Sequence, residues 1–98
     1  MEKLLPSVIE RCLCGVLVEF RQEAGLDQRK MGEKLQEGQP FVAKIENGHR
    51  RILLTELPEL CQAFGVSMAD FASRFDRELR AAAAQSGKTC RRRSSRRP

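Results

Sequence analysis

Tryptophan and tyrosine are absent from this 98-residue chain, and it holds five phenylalanines and one histidine. With so few aromatics, any core must rest on aliphatic side chains, methionine and those phenylalanines. The single histidine, His49, removes most routes to catalysis or zinc binding. No Ser-His-Asp set, Cys-His pair, metal-ligand cluster or phosphate-cradling glycine loop is readable, so neither an enzyme nor a bound cofactor is expected. Four cysteines occur (Cys12, Cys14, Cys61 and Cys90), but no CxxC does. Cys12 and Cys14 lie two apart on an expected helix and diverge, so the thiols are expected to be small, partly buried and reduced. No apolar run is long enough to cross a membrane. Leu4-Leu5 is broken at once by Pro6, so neither a leader nor an anchor is expected. The expected location is the cytoplasm.

Charge of one sign is missing from one end only. Residues 1–80 carry 12 Lys/Arg and 13 Asp/Glu, whereas residues 81–98 carry 6 Lys/Arg and no acid. The overall +5 is therefore a property of the tail. Any anion-binding face on the body must be basic locally rather than on average. From about Gln85 the sequence turns to Ser, Gly, Lys, Thr and Arg without an apolar pattern, and residues 85–98 are expected to be a disordered basic tail.

What remains reads as all-α, in one domain over residues 7–80. Pro6-Ser7 opens a long helix with apolar positions Val8, Ile9, Cys12, Leu13, Val16, Leu17, Phe20 and Ala24, ended by Gly25. Gly15 within it marks either a close helix crossing or a tolerated defect. Cys14 and Val18 form a flanking stripe open to a partner. Asp27 is the expected N-cap of a second helix, Gln28 to about Leu35. Gly38 and Pro40 open a third, which Asn47-Gly48 stops. Thr55 is the expected cap of a fourth helix with core positions Leu57, Leu60, Cys61 and Phe64. Ser67 with Asp70 opens a fifth carrying Phe71, Ala72, Phe75 and Leu79, extended by Ala81 to Ala84.

The chain is organised around Gln28 to Gly48. Met31, Gly32 and Leu35 give the second helix a narrow apolar face, and Val42 and Ile45 give the third a matching stripe. A helix of about nine residues is not stable alone. It must be pinned by that stripe, which leaves Gln39, Pro40, Ala43 and Lys44 facing outward. Leu26-Asp27-Gln28, Met31-Gly32, Leu35, Gln39, Phe41-Val42 and Lys44-Ile45-Glu46-Asn47-Gly48 strongly resemble the helix-turn-helix of the Cro and lambda-repressor-like (XRE-like) regulators. The resemblance runs from about Leu17 to Phe71. It implies a compact five-helix DNA-binding domain, here with extended first and last helices, that binds double-stranded DNA as a homodimer. Two positions depart from the family pattern. Gln36 stands where glycine is preferred because φ is often positive there, and Glu37 stands where an apolar residue is usual.

The resemblance assigns roles residue by residue. Gln39 would read a base, since a glutamine amide can pair bidentately with adenine in the major groove. Pro40 stands at another base-reading position but offers only apolar contact, such as to a thymine methyl. Lys44, about one and a half turns along, would reach a guanine edge or a phosphate. Gln28 would contact a phosphate and brace Gln39. Asn47, Arg50 and Arg51 would clamp phosphates, with His49 beside them. Arg21 and Glu46 would form an ion pair tying the first helix to the third. Three functions stay open: a sequence-specific transcriptional repressor; an antitoxin that also represses its own promoter and folds on a toxin partner; and a protein-interaction module on the same fold. The tail would be a non-specific DNA arm, a contact for an acidic partner, or a solubilising end.

Overall fold

Proline lacks a backbone donor, which the first turn of a helix does not need, and Pro6 starts α1 (Pro6–Glu23) in this way. The computed structural model describes residues 4–86. Its remaining helices are α2 (Gln28–Lys34), α3 (Gln39–Glu46), α4 (Leu57–Phe64) and α5 (Met68–Ser86). The basic tail beyond Ser86, with Cys90, lies outside the described residues.

The core is apolar throughout. Val16, Leu17 and Phe20 of α1 meet Met31 and Leu35, Val42 and Ile45, Leu60, Cys61 and Phe64, and Phe71 of the later helices. Phe20 lies 5.7 Å from Phe64 and 5.4 Å from Phe71 between ring centroids. These stacked rings join α1, α4 and α5. Arg74 of α5 lies 4.2 Å over the Phe20 ring and pairs with Glu23 at 2.6 Å, which ties α5 back to α1 from the solvent side.

The tightest contact is between α2 and the turn that follows it. A Cβ on Gly32 would stand 2.7 Å from the Gly38 carbonyl carbon and 3.0 Å from the Gln39 nitrogen, both backbone atoms that cannot step aside. Glycine at position 32 therefore sets the distance between α2 and the start of α3. The turn itself closes α2 with a paired cap: the Glu37 N–H donates to the Gly32 carbonyl at 2.9 Å and the Gln36 N–H to Glu33 at 3.1 Å. This geometry needs a left-handed residue, and Gln36 supplies it at φ 59. Asp27 caps α2 by accepting the Lys30 N–H at 2.7 Å.

Four expectations change on the structure. Gly15 faces open space, so it is no helix crossing. Cys14 does not face outward to a partner; its thiol donates to the Ile45 carbonyl at 3.5 Å, against α3. Thr55 does not cap α4. A 3-10 turn over Leu54–Glu56 precedes that helix, and the Glu56 carboxylate reaches back to accept the Leu53 N–H at 2.9 Å, so the entry begins two residues earlier. Ala24 and Ala72 are exposed; in α5 burial runs instead through Phe71 and the half-buried Phe75 to Ala83.

Candidate nucleic-acid interface

The interface is built from the first turns of α2 and α3. Gln28 and Gln39 are each the first residue of their helix. The Gln39 amide nitrogen donates to the Gln28 amide oxygen at 2.6 Å. The Gln28 nitrogen in turn donates to a Glu46 carboxylate oxygen at 2.9 Å. Glu46 is seven residues along α3 from Gln39, which is about two turns, so both stand on the α3 face that α2 crosses.

Glu46 is also the partner of Arg21. The guanidinium donates from Nε to one carboxylate oxygen at 2.6 Å and from a terminal nitrogen to the other at 3.2 Å, while its second terminal nitrogen donates to the Leu26 carbonyl at 2.9 Å. The two side chains are 12% and 6% exposed. Such a pair fastens α1, the loop after it and α3 at one point. The resemblance implied that Arg21 and Glu46 pair; nothing in the sequence showed that Gln28 would join them, because the crossing of α2 over α3 is not written in either helix.

On the outer side of α3, Gln39, Pro40 and Lys44 are exposed and Ala43 is half-buried between them. The Lys44 side chain makes no hydrogen bond or ion pair among the described residues, so its ammonium is available to an anion or a base edge. Asn47 and His49 are exposed at the helix end, where the His49 N–H closes the helix on the Lys44 carbonyl at 2.9 Å.

The two arginines that follow differ. Arg51 is 78% exposed and only loosely paired, 3.5 Å from Glu10. Arg50 is engaged. It donates to both oxygens of Glu56, at 3.0 and 2.7 Å, and its guanidinium lies 4.8 Å over the Phe41 ring. The Arg50 guanidinium, with the Leu53 N–H, holds the Glu56 carboxyl down at about 2 against an ordinary 4.5. A phosphate at Arg50 would have to displace this carboxylate or share the guanidinium with it. Sequence reasoning missed Glu56 as the partner of Arg50, although its spacing of six across a turn-rich segment is compatible with a chain reversal. Among the described residues no cluster of His, Cys, Asp or Glu is arranged to hold a metal ion, and no helix is long and apolar enough to cross a membrane.

The helix-turn-helix family HTH_3 matches residues 17–71, more than half of the chain. Among solved structures, the fold is similar to the clp gene regulator ClgR from Corynebacterium glutamicum, with TM-score 0.71 and 24% identity over 88% of this chain and 87% of that one. It is similar to the restriction-modification controller protein C.Esp1396I, with TM-score 0.68 and 20% identity over 72% and 93%. An XRE-family like protein from Pseudomonas syringae pv. tomato str. DC3000 aligns with TM-score 0.66 and 28% identity over 71% and 85%. The first two likenesses are of fold alone. No curated protein matches the chain.

Proposed function

The chain belongs to the helix-turn-helix family HTH_3, a class of non-enzymatic DNA-binding transcriptional regulators, and from that membership we propose that it is a sequence-specific repressor that lays α3 in the major groove. The observation that carries this reading is the Gln28–Gln39 pair at the adjoining starts of α2 and α3. It holds one amide edge of Gln39 and leaves the other for a base. Gln39 reads adenine, Pro40 packs against a neighbouring thymine methyl, and Lys44 takes a guanine edge or a phosphate farther along the groove. Gln28, Asn47 and Arg51 contact phosphates and set the register. Arg50 chiefly shapes the loop through Glu56, and its phosphate contact is secondary.

The protein acts as a homodimer on two half-sites about one helical turn apart. Leu53 and Leu54, 60% and 75% exposed, and Leu5, 68% exposed, support a protein-contacting surface apart from the outer face of α3. The test is selection of sites from random duplex DNA at near-physiological salt, with Gln39→Ala in parallel. An enriched palindrome, relaxed at one base pair per half-site in the variant, is the expected result. Salt-sensitive binding without enrichment, unchanged by the substitution, would reduce the interaction to electrostatics and favour a protein-binding module.

A further inference from the structure

A surface glutamine has no fixed polarity. Turning its amide over exchanges oxygen and nitrogen with almost no change of shape, and the two orientations present different orders of donor and acceptor to a base. In this chain the choice is made elsewhere. Arg21 can only donate, and all three of its donating nitrogens are used, two on Glu46 and one on the Leu26 carbonyl. The Glu46 carboxylate can only accept. Gln28 must therefore turn its nitrogen toward Glu46, as the 2.9 Å contact shows, and its oxygen toward Gln39. Gln39 must then donate its nitrogen to that oxygen, at 2.6 Å. What Gln39 has left is its amide oxygen and one N–H. That pair, acceptor and donor side by side, complements the N6 donor and N7 acceptor of adenine.

We propose that Glu46, held by Arg21, is a positioning residue for base recognition: through Gln28 it fixes the amide orientation of Gln39 and so sets its preference for adenine. The ion pair thereby acts on specificity as well as on folding. This rests on the reading of Gln39 as a base contact. It assigns a cause to the preference, which lies about two helical turns from the base-reading end of α3.

The consequence of Glu46→Gln follows from the same polarity. The side chain keeps its shape and keeps an oxygen on the shorter arginine contact, the Arg21 Nε at 2.6 Å; its NH2 then replaces the oxygen that accepted both the Arg21 terminal nitrogen and Gln28, so that terminal nitrogen loses its partner and Gln28 meets a donor. Gln28 must turn over to accept, its nitrogen then faces Gln39, and Gln39 must turn over as well. The outer edge of Gln39 becomes its NH2, a donor, which suits the N7 and O6 acceptors of guanine. Adding Gln28→Glu to this variant restores an acceptor on both sides of position 28 and returns Gln39 to its original orientation.

The experiment measures binding of the full chain to the selected duplex, and to a duplex with guanine for adenine at the base pair that Gln39→Ala relaxes. Thermal unfolding of each variant runs alongside. Glu46→Gln is expected to lower the adenine-over-guanine ratio by roughly tenfold or more at that pair alone, and the Glu46→Gln/Gln28→Glu double variant to recover it. Gln28→Met, at a half-exposed position, is expected to relax the same pair without favouring guanine. If Gln39→Ala relaxes no position, the underlying base-contact reading fails. If Gln39→Ala relaxes one pair but Gln28→Met, or folded Glu46→Gln, keeps the adenine preference there, the positioning role of Glu46 is overturned.

Discussion

Two arginine–glutamate forks flank α3, and they differ in burial. Arg21–Glu46 lies inside the junction of α1, α2 and α3, at 12% and 6% exposure; Arg50–Glu56 lies on the loop beyond α3, at 38% and 28%. Both glutamates accept an arginine with both oxygens, and both receive a further donor, Gln28 in one case and the Leu53 N–H in the other. The inner fork is shielded from water and salt, and it ends on Gln28, whose oxygen accepts from Gln39. The outer fork competes with solvent and ends on a backbone turn. Near-identical chemistry thus ties three helices together at one site and shapes a loop at the other.

The largest effect is expected from breaking the inner fork. Glu46→Ala strands the Arg21 guanidinium in a site with little water, and should lower unfolding free energy by roughly 3–5 kcal/mol. Urea denaturation of the variant against the parent measures it; a loss no greater than that of an exposed pair would erase the distinction between the forks.

Next comes the frame both forks presuppose. Gly32→Ala drives a methyl into the backbone of Gly38 and Gln39, with an expected loss of about 1–3 kcal/mol. Because the clash displaces the start of α3, DNA affinity should fall more than the lost stability alone explains. A variant as stable as the parent would mean that the two helices can part without cost.

Gln36→Gly sharpens the comparison in the opposite direction. The left-handed backbone at φ 59 disfavours a side chain, so glycine should raise stability, by on the order of 1 kcal/mol before its greater unfolded-state entropy is counted. A higher midpoint in thermal unfolding is the expected outcome, with no change in either fork.

The smallest effect belongs to the outer fork, and pH isolates it. The Glu56 carboxyl titrates at about 2 when folded, below its ordinary 4.5, so the folded state favours the ionised form. Its contribution is fully present above pH 4.5 and disappears as pH falls from there toward 2. The stability curves of the parent and Glu56→Gln should therefore differ at neutral pH and converge over that window. Curves that stay parallel would show that Glu56 is not held by Arg50.

Much of this was readable in the chain, for local reasons. Pro6, Asp27, Gly38-Pro40, Gly48, Gly65 and Ser67 mark helix ends through backbone chemistry that acts within a few residues, and the structure uses each of them. The apolar stripes of α3 and α4 repeat with the helical period and became core. What escaped depends on chain path. Thr55 looked like a cap because its own side chain suits one, yet the carboxylate of Glu56 bends back to Leu53 first. Arg50 looked free because it follows a helix end, but its partner is brought to it by the turn of residues 51–55. The Gln28–Glu46 contact needs the crossing of α2 and α3, which Gly32 permits but does not announce.

The central claim is that Gln39 reads an adenine edge, and one pair of atoms tests it most directly. In the selected site, the adenine assigned to Gln39 is replaced by 7-deazaadenine, which removes only the N7 acceptor, and affinities are measured for the parent and for Gln39→Ala. The account predicts that the parent loses about 1–3 kcal/mol of binding from the missing atom while Gln39→Ala, already without the donor, loses almost nothing more. Equal losses in both proteins, or none in the parent, would contradict it.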